Sequence, residues 1–335
     1  MAHEDTFHRL IDYLRISITD RCNLRCIYCM PDEGIPSRSH DEILRYEEIE
    51  TIARAAAGLG IIRIRLTGGE PLARLGVVDL VRMLAQIPGI EDLSMTTNGT
   101  LLSRYAQPLA QAGLQRVNVS LDTLSAERFR RITRRGELRD VLEGLDVARA
   151  AGLEPVKVNT VVIRGINDDE VVELASWALD GEWTLRFIEW MPIGDAAQAA
   201  QGIVTAKEIR ARIEAALGKF EPARADAGAG PARYVHLPGK PGKIGFITPI
   251  SEHFCDRCNR LRLTADGQLR LCLLNDREID LRTPLRAGAG IAEIEDLIAQ
   301  GIQQKPQQHT LAGGACAMPD AATAQPSRQM SQIGG

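Results

Sequence analysis

The chain has 335 residues, 25% charged and 44% apolar, with a formal net charge of −4. This is an ordinary globular composition, and its acidic balance excludes a global basic field that would draw nucleic acid or an anionic membrane. No run of eighteen apolar residues occurs and the N-terminus MAHEDTFHRL is polar, so neither a transmembrane helix nor a signal peptide is expected, and the expected location is the cytoplasm.

In chain order the pattern predicts a strand at 13–18 (YLRISI), a helix near 47–58, a strand at 61–66 (IIRIRL) and a helix near 76–87. A strand at 92–97 (DLSMTT), a helix at 103–112, a strand at 116–121 (RVNVSL) and helices at 125–132 and 139–151 follow, the last stopped by Gly152. A strand at 156–163 (VKVNTVVI), a helix at 169–179 and a strand at 184–189 (TLRFIE) complete six units. Strand alternating with helix implies an α/β fold with parallel strands and ligands at their C-terminal ends. Six units are too few for a closed eight-fold barrel. The expected fold is therefore an incomplete (β/α)6 TIM-like barrel, with a doubly wound sheet as the alternative. The segment 191–202 is short-chained and polar, and 221–232 (EPARADAGAGPA) reads as a surface loop. The expected division is a barrel over 1–220, a C-terminal region over 221–302, and a mobile tail over 303–335 ending in Gly334–Gly335.

Six of the seven cysteines fall in two groups, and Cys316 stands alone in the tail. Cys22, Cys26 and Cys29 have the spacing C-x3-C-x2-C directly after the first strand. Three thiolates on one loop suit a [4Fe–4S] cube with one iron left open for a ligand, since ferredoxin-type clusters use four cysteines. A zinc knuckle is the bland alternative, but structural zinc takes four protein ligands. Cys255, Cys258 and Cys272 form C-x2-C-x13-C, and with His253 nearby a Cys3His zinc site is a serious alternative on spacing. Arg15, Arg65 and Lys157 lie inside expected strands, where a charge is costly unless it is paired or faces a cavity. An ordinary salt bridge explains any one of them. Several converging at one strand-end cavity suggest an anion site, with Arg260 and Arg262 beside Cys258 as further candidates.

The first cysteine group, with Tyr28 before its last cysteine, resembles the signature of the radical S-adenosylmethionine superfamily. In that superfamily the open iron chelates S-adenosylmethionine, and one electron from the cluster generates a 5′-deoxyadenosyl radical. The resemblance assigns Tyr28, Gly69 in Thr67-Gly68-Gly69-Glu70-Pro71, Ser120 and Met191 to the cosubstrate. Over nearly the whole chain, through DYLRISITDRCNLRCIYCMP, RIRLTGGEP, TTNG, RVNVSLD, FIEWMPIGD, CDRCNRLRLTADGQLRLCL and the terminal Gly-Gly, the sequence resembles the GTP 3′,8-cyclase family of molybdenum cofactor biosynthesis. That resemblance implies a second [4Fe–4S] cluster on Cys255, Cys258 and Cys272, whose open iron binds guanine. It implies GTP contacts from Arg15, Arg65, Thr96, Lys157, Arg260, Leu261 and Arg262, with Arg15, Arg260 and Arg262 catalytic. Its implied product is (8S)-3′,8-cyclo-7,8-dihydro-GTP. The expected partners are GTP, a one-electron reductant, cyclic pyranopterin monophosphate synthase as the next enzyme, and a second copy in a homodimer. The tail reaches into the active site in that family, so a role for Gly334–Gly335 in ordering the arginines is expected. A peptide-modifying radical enzyme and a redox-reporting nucleotide sensor are the other function classes compatible with two three-cysteine groups.

Overall fold

A computed structural model describes residues 3–309 and 328–334, apart from residues 37, 192, 194–201, 225–226 and 229. Cys316 and Gly335 lie outside the described residues. The chain starts with a hairpin of β1 (His3–Glu4) and β2 (Leu10–Ile11). Six strands follow: β3 (Tyr13–Ser17), β4 (Arg63–Thr67), β5 (Asp92–Thr97), β6 (Arg116–Ser120), β7 (Lys157–Val162) and β8 (Thr184–Glu189). Between them lie α1 (Tyr46–Gly58), α2 (Val77–Ala85), α3 (Leu102–Gln111), α4 (Ala126–Thr133), α5 (Leu138–Ala150) and α6 (Val171–Asp180). The alternation expected from periodicity is present, with boundaries within two residues of those expected. The C-terminal part adds α7 (Ala206–Leu217), β9 (Glu221–Ala223), β10 (Arg233–His236), β11 (Lys243–Ile247), β12 (Arg260–Leu263), β13 (Gln268–Arg270) and β14 (Glu278–Asp280). Helices α8 (Arg282–Arg286) and α9 (Ile291–Gln303) follow.

Strands β3 to β8 stand side by side in chain order, each parallel to the next. β12 pairs in parallel with β3, and β11 with β8. Antiparallel β13 and β14 extend one edge, and β10 and β9 the other. The result is one large, mostly parallel sheet. Its strand order lacks the reversal that a doubly wound sheet requires, so that alternative is set aside. Segments on either side of residue 220 share this sheet. The expected loop at 221–232 begins instead as edge strand β9, where Pro222 is tolerated.

Helices cover one face of the sheet. α2 turns Val77, Leu80, Val81 and Leu84 inward at helical spacing. They belong to the same apolar core as Leu14 and Ile16 of β3, Ile64 and Leu66 of β4, and Val117 and Val119 of β6. Each such buried aliphatic side chain contributes roughly 1.5–3 kcal/mol. The alternate residues face the other way, and most are polar: Arg15, Arg65, Thr96, Asn118, Asn159 and Arg186. A parallel strand buried on both faces reads as a continuous apolar run. These strands do not, because their second face meets a cavity. Among the described residues no helix is long and apolar enough to cross a membrane.

Candidate functional site

The polar face of the sheet lines a cavity of about 310 Å³, which extends past the C-terminal ends of the parallel strands. Strands supply Arg15, Arg65, Thr96, Ser120, Arg260 and Arg262 to its wall, and loops supply Tyr28, Gly69 and Met191. All six grouped cysteines open on the same cavity, and each is a free, half-buried thiol. Two expected residues stand apart. Lys157 lies on the Asn159 face of β7, two residues earlier, and its ammonium donates to the Ala227 carbonyl. Leu261 points into the apolar core between Arg260 and Arg262.

The first cysteine loop is braced by backbone. The Cys29 amide donates to the Cys26 carbonyl at 2.9 Å, and the amides of Arg25 and Ile27 donate to Thr133 and Ile132 at the end of α4. The Arg25 guanidinium donates to the carbonyls of Cys22 (2.6 Å) and Leu24 (2.9 Å). The Thr67–Glu70 turn packs against the strand-to-loop passage that leads into Cys22. The Gly69 amide donates to the Thr19 carbonyl at 2.7 Å, and the Glu70 amide to Arg21 at 2.8 Å. A Cβ on Gly69 would stand 2.3 Å from the Arg21 carbonyl oxygen. The second glycine therefore serves a close approach of backbone to backbone. Glu70 is fully buried and accepts from Thr97 Oγ1 (2.7 Å), the Asn98 amide (2.7 Å) and the Leu72 amide (3.0 Å). Burial outweighs these donors and pushes its carboxyl up to about 7. Tyr28 donates to Asp122 Oδ2 at 2.6 Å, and burial pushes the Asp122 carboxyl up to about 6.

The two cysteine groups sit in different fields. Burial pushes Cys22 up to about 11 and Cys29 up to about 12, and holds Cys26 well above its ordinary range. Burial also works against the Cys258 thiolate, but Arg260 and Lys305 outweigh it and bring this thiol down to about 6. Arg260 Nη2 lies 3.9 Å from Cys258 Sγ. Between the groups the wall is cationic. Burial, and then the neighbouring arginines, depress Arg15 well below its usual value. Burial brings Arg262 down to about 9 and Arg65 to about 10. Burying these guanidinium groups together carries a cost that a polyanion would relieve.

Several wall residues were missed in the sequence. Arg186 lies in TLRFI of β8 as Arg15 lies in YLRIS, so the same signal, a cation inside a strand, marks it. Its Nη2 donates to Asn118 Oδ1 at 2.7 Å while its Nε is buried without a partner. The hydroxyls of Tyr13 and Thr96 and the side-chain oxygen of Asn159 are likewise buried and unpartnered on the wall. Such groups call for a polar ligand. The salt-bridge explanation holds elsewhere: Arg63 pairs with Asp12 and Arg116 with Asp92, at the N-terminal ends of their strands. His309, for which the sequence offers no constellation, lines the cavity and bonds the Pro249 carbonyl through Nε2 at 3.0 Å. His253, the fourth ligand of the zinc alternative, is exposed.

The end of the chain enters the same space. Ser331 and Met330 line the cavity, and the Ser331 amide faces the Cys29 sulfur. The Gly334 carbonyl accepts from Arg262 Nη1 at 2.7 Å, Ile333 is buried against Ile193 and Leu274, and Arg328 pairs with Asp266 and Glu278.

Comparison with known proteins agrees with this geometry. Residues 16–178 match the Radical SAM superfamily and residues 183–311 match Molybdenum Cofactor Synthesis C. A GTP 3′,8-cyclase of Pelotomaculum thermopropionicum is 55% identical over 99% of this chain and 100% of its own length. One from Moorella thermoacetica is 54% identical over the same shares. The chain belongs to the GTP 3′,8-cyclase family. In fold it resembles the crystal structure of Streptococcus suis SuiB bound to S-adenosylmethionine, with TM-score 0.61, 13% identity, and 86% and 68% of the two chains covered. It also resembles native anSMEcpe with bound AdoMet, with TM-score 0.54, 16% identity, and 90% and 82% covered. Family membership brings S-adenosylmethionine and iron–sulfur clusters as cofactors. The donor set fits them: two sets of three free thiols share one cavity, and buried thiolates are stable only with cations such as iron beside them.

Proposed function

We propose that this protein cyclises GTP to (8S)-3′,8-cyclo-7,8-dihydro-GTP, the first step of molybdopterin biosynthesis. The observation that carries this reading is one cavity opening on both cysteine groups and on Arg15, Arg65, Arg186, Arg260 and Arg262. All eight parallel strands contribute to its wall, which supports a sheet curled into a (β/α)6 partial barrel over residues 1–220 and flanked by the 221–302 region. Cys22, Cys26 and Cys29 would hold the first [4Fe–4S] cluster, with Tyr28, Gly69, Ser120 and Met191 around S-adenosylmethionine. Cys255, Cys258 and Cys272 would hold the second, beside the guanine. When bound, these cofactors supply the radical that takes the ribose C3′ hydrogen so that C3′ bonds to guanine C8.

The protein's own task is positioning. The arginine forks bind the triphosphate bidentately, and Thr96, Asn159 and Tyr13 offer hydroxyl and amide groups to the rest of the nucleotide. Lys157 and Leu261 act through the strands that carry Asn159 and the Arg260–Arg262 pair. The buried wall keeps water from the reacting carbon. The reading also entails a one-electron reductant, cyclic pyranopterin monophosphate synthase downstream, a reducing cytoplasm, and a homodimer by family resemblance. Anaerobic reconstitution tests it: GTP, S-adenosylmethionine and reductant should yield 5′-deoxyadenosine and cyclised nucleotide together. 5′-Deoxyadenosine without nucleotide product would favour a peptide-modifying enzyme, and intact clusters with no cleavage would favour a sensor.

A further inference from the structure

We propose that Lys305 and Arg9 are positioning residues of the second cysteine group, two buried cations that join its three ligand segments and set the field on its cluster. The proposal rests on the assignment of a cluster to Cys255, Cys258 and Cys272. Lys305 is 3% exposed, yet it follows a helix end in the plain polar stretch QQKPQQ. Its Nζ donates to the Arg260 carbonyl (2.8 Å) and the Leu271 carbonyl (2.7 Å). Arg260 lies two residues after Cys258, and Leu271 directly precedes Cys272. Arg9 is 6% exposed and comes from the β1–β2 hairpin. Its Nη1 donates to the carbonyl of Cys255 itself and to Gln307, both at 2.8 Å, and its Nη2 donates to Pro306 at 2.8 Å. The two side chains thus hold all three ligand segments, and residues 306–307 couple one cation to the other.

The charges differ in how they are balanced. Asp5 pairs with Arg9. Among the described residues no carboxylate pairs with Lys305. A buried ammonium without a counter-ion is costly, and a methionine of similar length would fill the space without that cost. The cysteine sulfurs that face Lys305 are those of Cys258 and Cys272. An anionic thiolate cluster supplies the counter-charge, and the lysine in turn favours its reduced, more negative state.

The test uses the full chain carrying Cys22→Ala, Cys26→Ala and Cys29→Ala, so that only the second group binds iron. In that background Lys305→Met should release iron to a chelator ~10-fold faster or more, the usual scale for losing an outer-shell partner. It should also lower the midpoint potential in an EPR-monitored titration. Lys305→Arg should restore both. Arg9→Lys keeps the charge and loses the fork, so it should speed release with little change in potential. The matching chain with Cys255→Ala, Cys258→Ala and Cys272→Ala should hold its first-group iron normally with Lys305→Met. Wild-type release and potential in Lys305→Met would overturn the proposal, as would equal loss from the first group. Should Lys305→Met fail to fold by circular dichroism, wild-type release in Arg9→Lys would overturn it. If the second group binds no iron even with Lys305 and Arg9 intact, the cluster assignment itself fails.

Discussion

Gly334 offers a sharp test of how the chain terminus serves the cavity. Its φ is +68°, and a Cβ there would stand 2.3 Å from Thr67 Oγ1. Gly334→Ala therefore carries two costs. The left-handed backbone costs a non-glycine residue roughly 1–2 kcal/mol. Overpacking against Thr67 adds roughly 1–3 kcal/mol, since Thr67 is buried and its hydroxyl bonds the Ile16 carbonyl at 3.3 Å. The sum, about 2–5 kcal/mol, matches or exceeds what burying Ile333 contributes, about 1.5–3 kcal/mol. The docked-to-undocked ratio of 328–334 should then fall by roughly 30-fold or more, at 1.4 kcal/mol per tenfold. Arg262 would lose its carbonyl partner, and Cys29 the Ser331 amide. Amide hydrogen exchange over 330–334 reads the undocking, and turnover of GTP reads its consequence. Thr67→Ala in the same chain removes the nearest atom and leaves Ser17 Cβ at 3.3 Å, so the double variant should recover all but the backbone cost. Unchanged exchange in Gly334→Ala, or no recovery in the double variant, would refute this reasoning.

The raised Glu70 carboxyl makes a pH prediction. Its native value near 7 exceeds the ordinary 4.5, so its contribution to stability is present below pH 4.5 and lost as pH rises to about 7. Glu70→Gln should flatten that part of the cluster-free protein's urea stability profile, and an unchanged slope would contradict it. Arg186→Ala should raise KM for GTP by ~10-fold or more, from a charged hydrogen bond worth about 1.5–3 kcal/mol, while uncoupled cleavage of S-adenosylmethionine persists. Equal KM in the variant would remove Arg186 from the nucleotide site. Cys22→Ala and Cys258→Ala should each lower anaerobic iron from about eight to about four per chain. Only Cys22→Ala should abolish 5′-deoxyadenosine formation; loss in both would mean that the two groups do not act separately.

The order of strands and helices was legible because apolar spacing of two or 3.6 residues is local. Both cysteine groups were legible for the same reason, as recurring spacings: the first on one short loop, the second as a close pair with its third member beyond β12 and β13. Arg15 and Arg65 stood out because a charge inside a strand contradicts the burial around it, and Arg186 was equally readable by that rule. Gly69 of TGGEP was assigned by resemblance alone, and its close approach to the Arg21 carbonyl is visible only once β3 and β4 pair. His309, Lys305 and Arg9 lie in polar or irregular stretches with no periodicity for a charge to violate. Only packing reveals them as buried.

By itself, the sequence determined the strand–helix alternation, the two sets of thiols and the cations between them, because each depends on neighbours within a few residues. The tertiary structure decided that both sets open on one cavity, that β11 and β12 join opposite flanks of the parallel strands, and that Met330 and Ser331 line that cavity. Arg9 reaches Cys255 across 246 positions, and Arg262 reaches Gly334 across 72. Such contacts are made by chain closure, and no local pattern encodes which distant carbonyl a buried cation will meet.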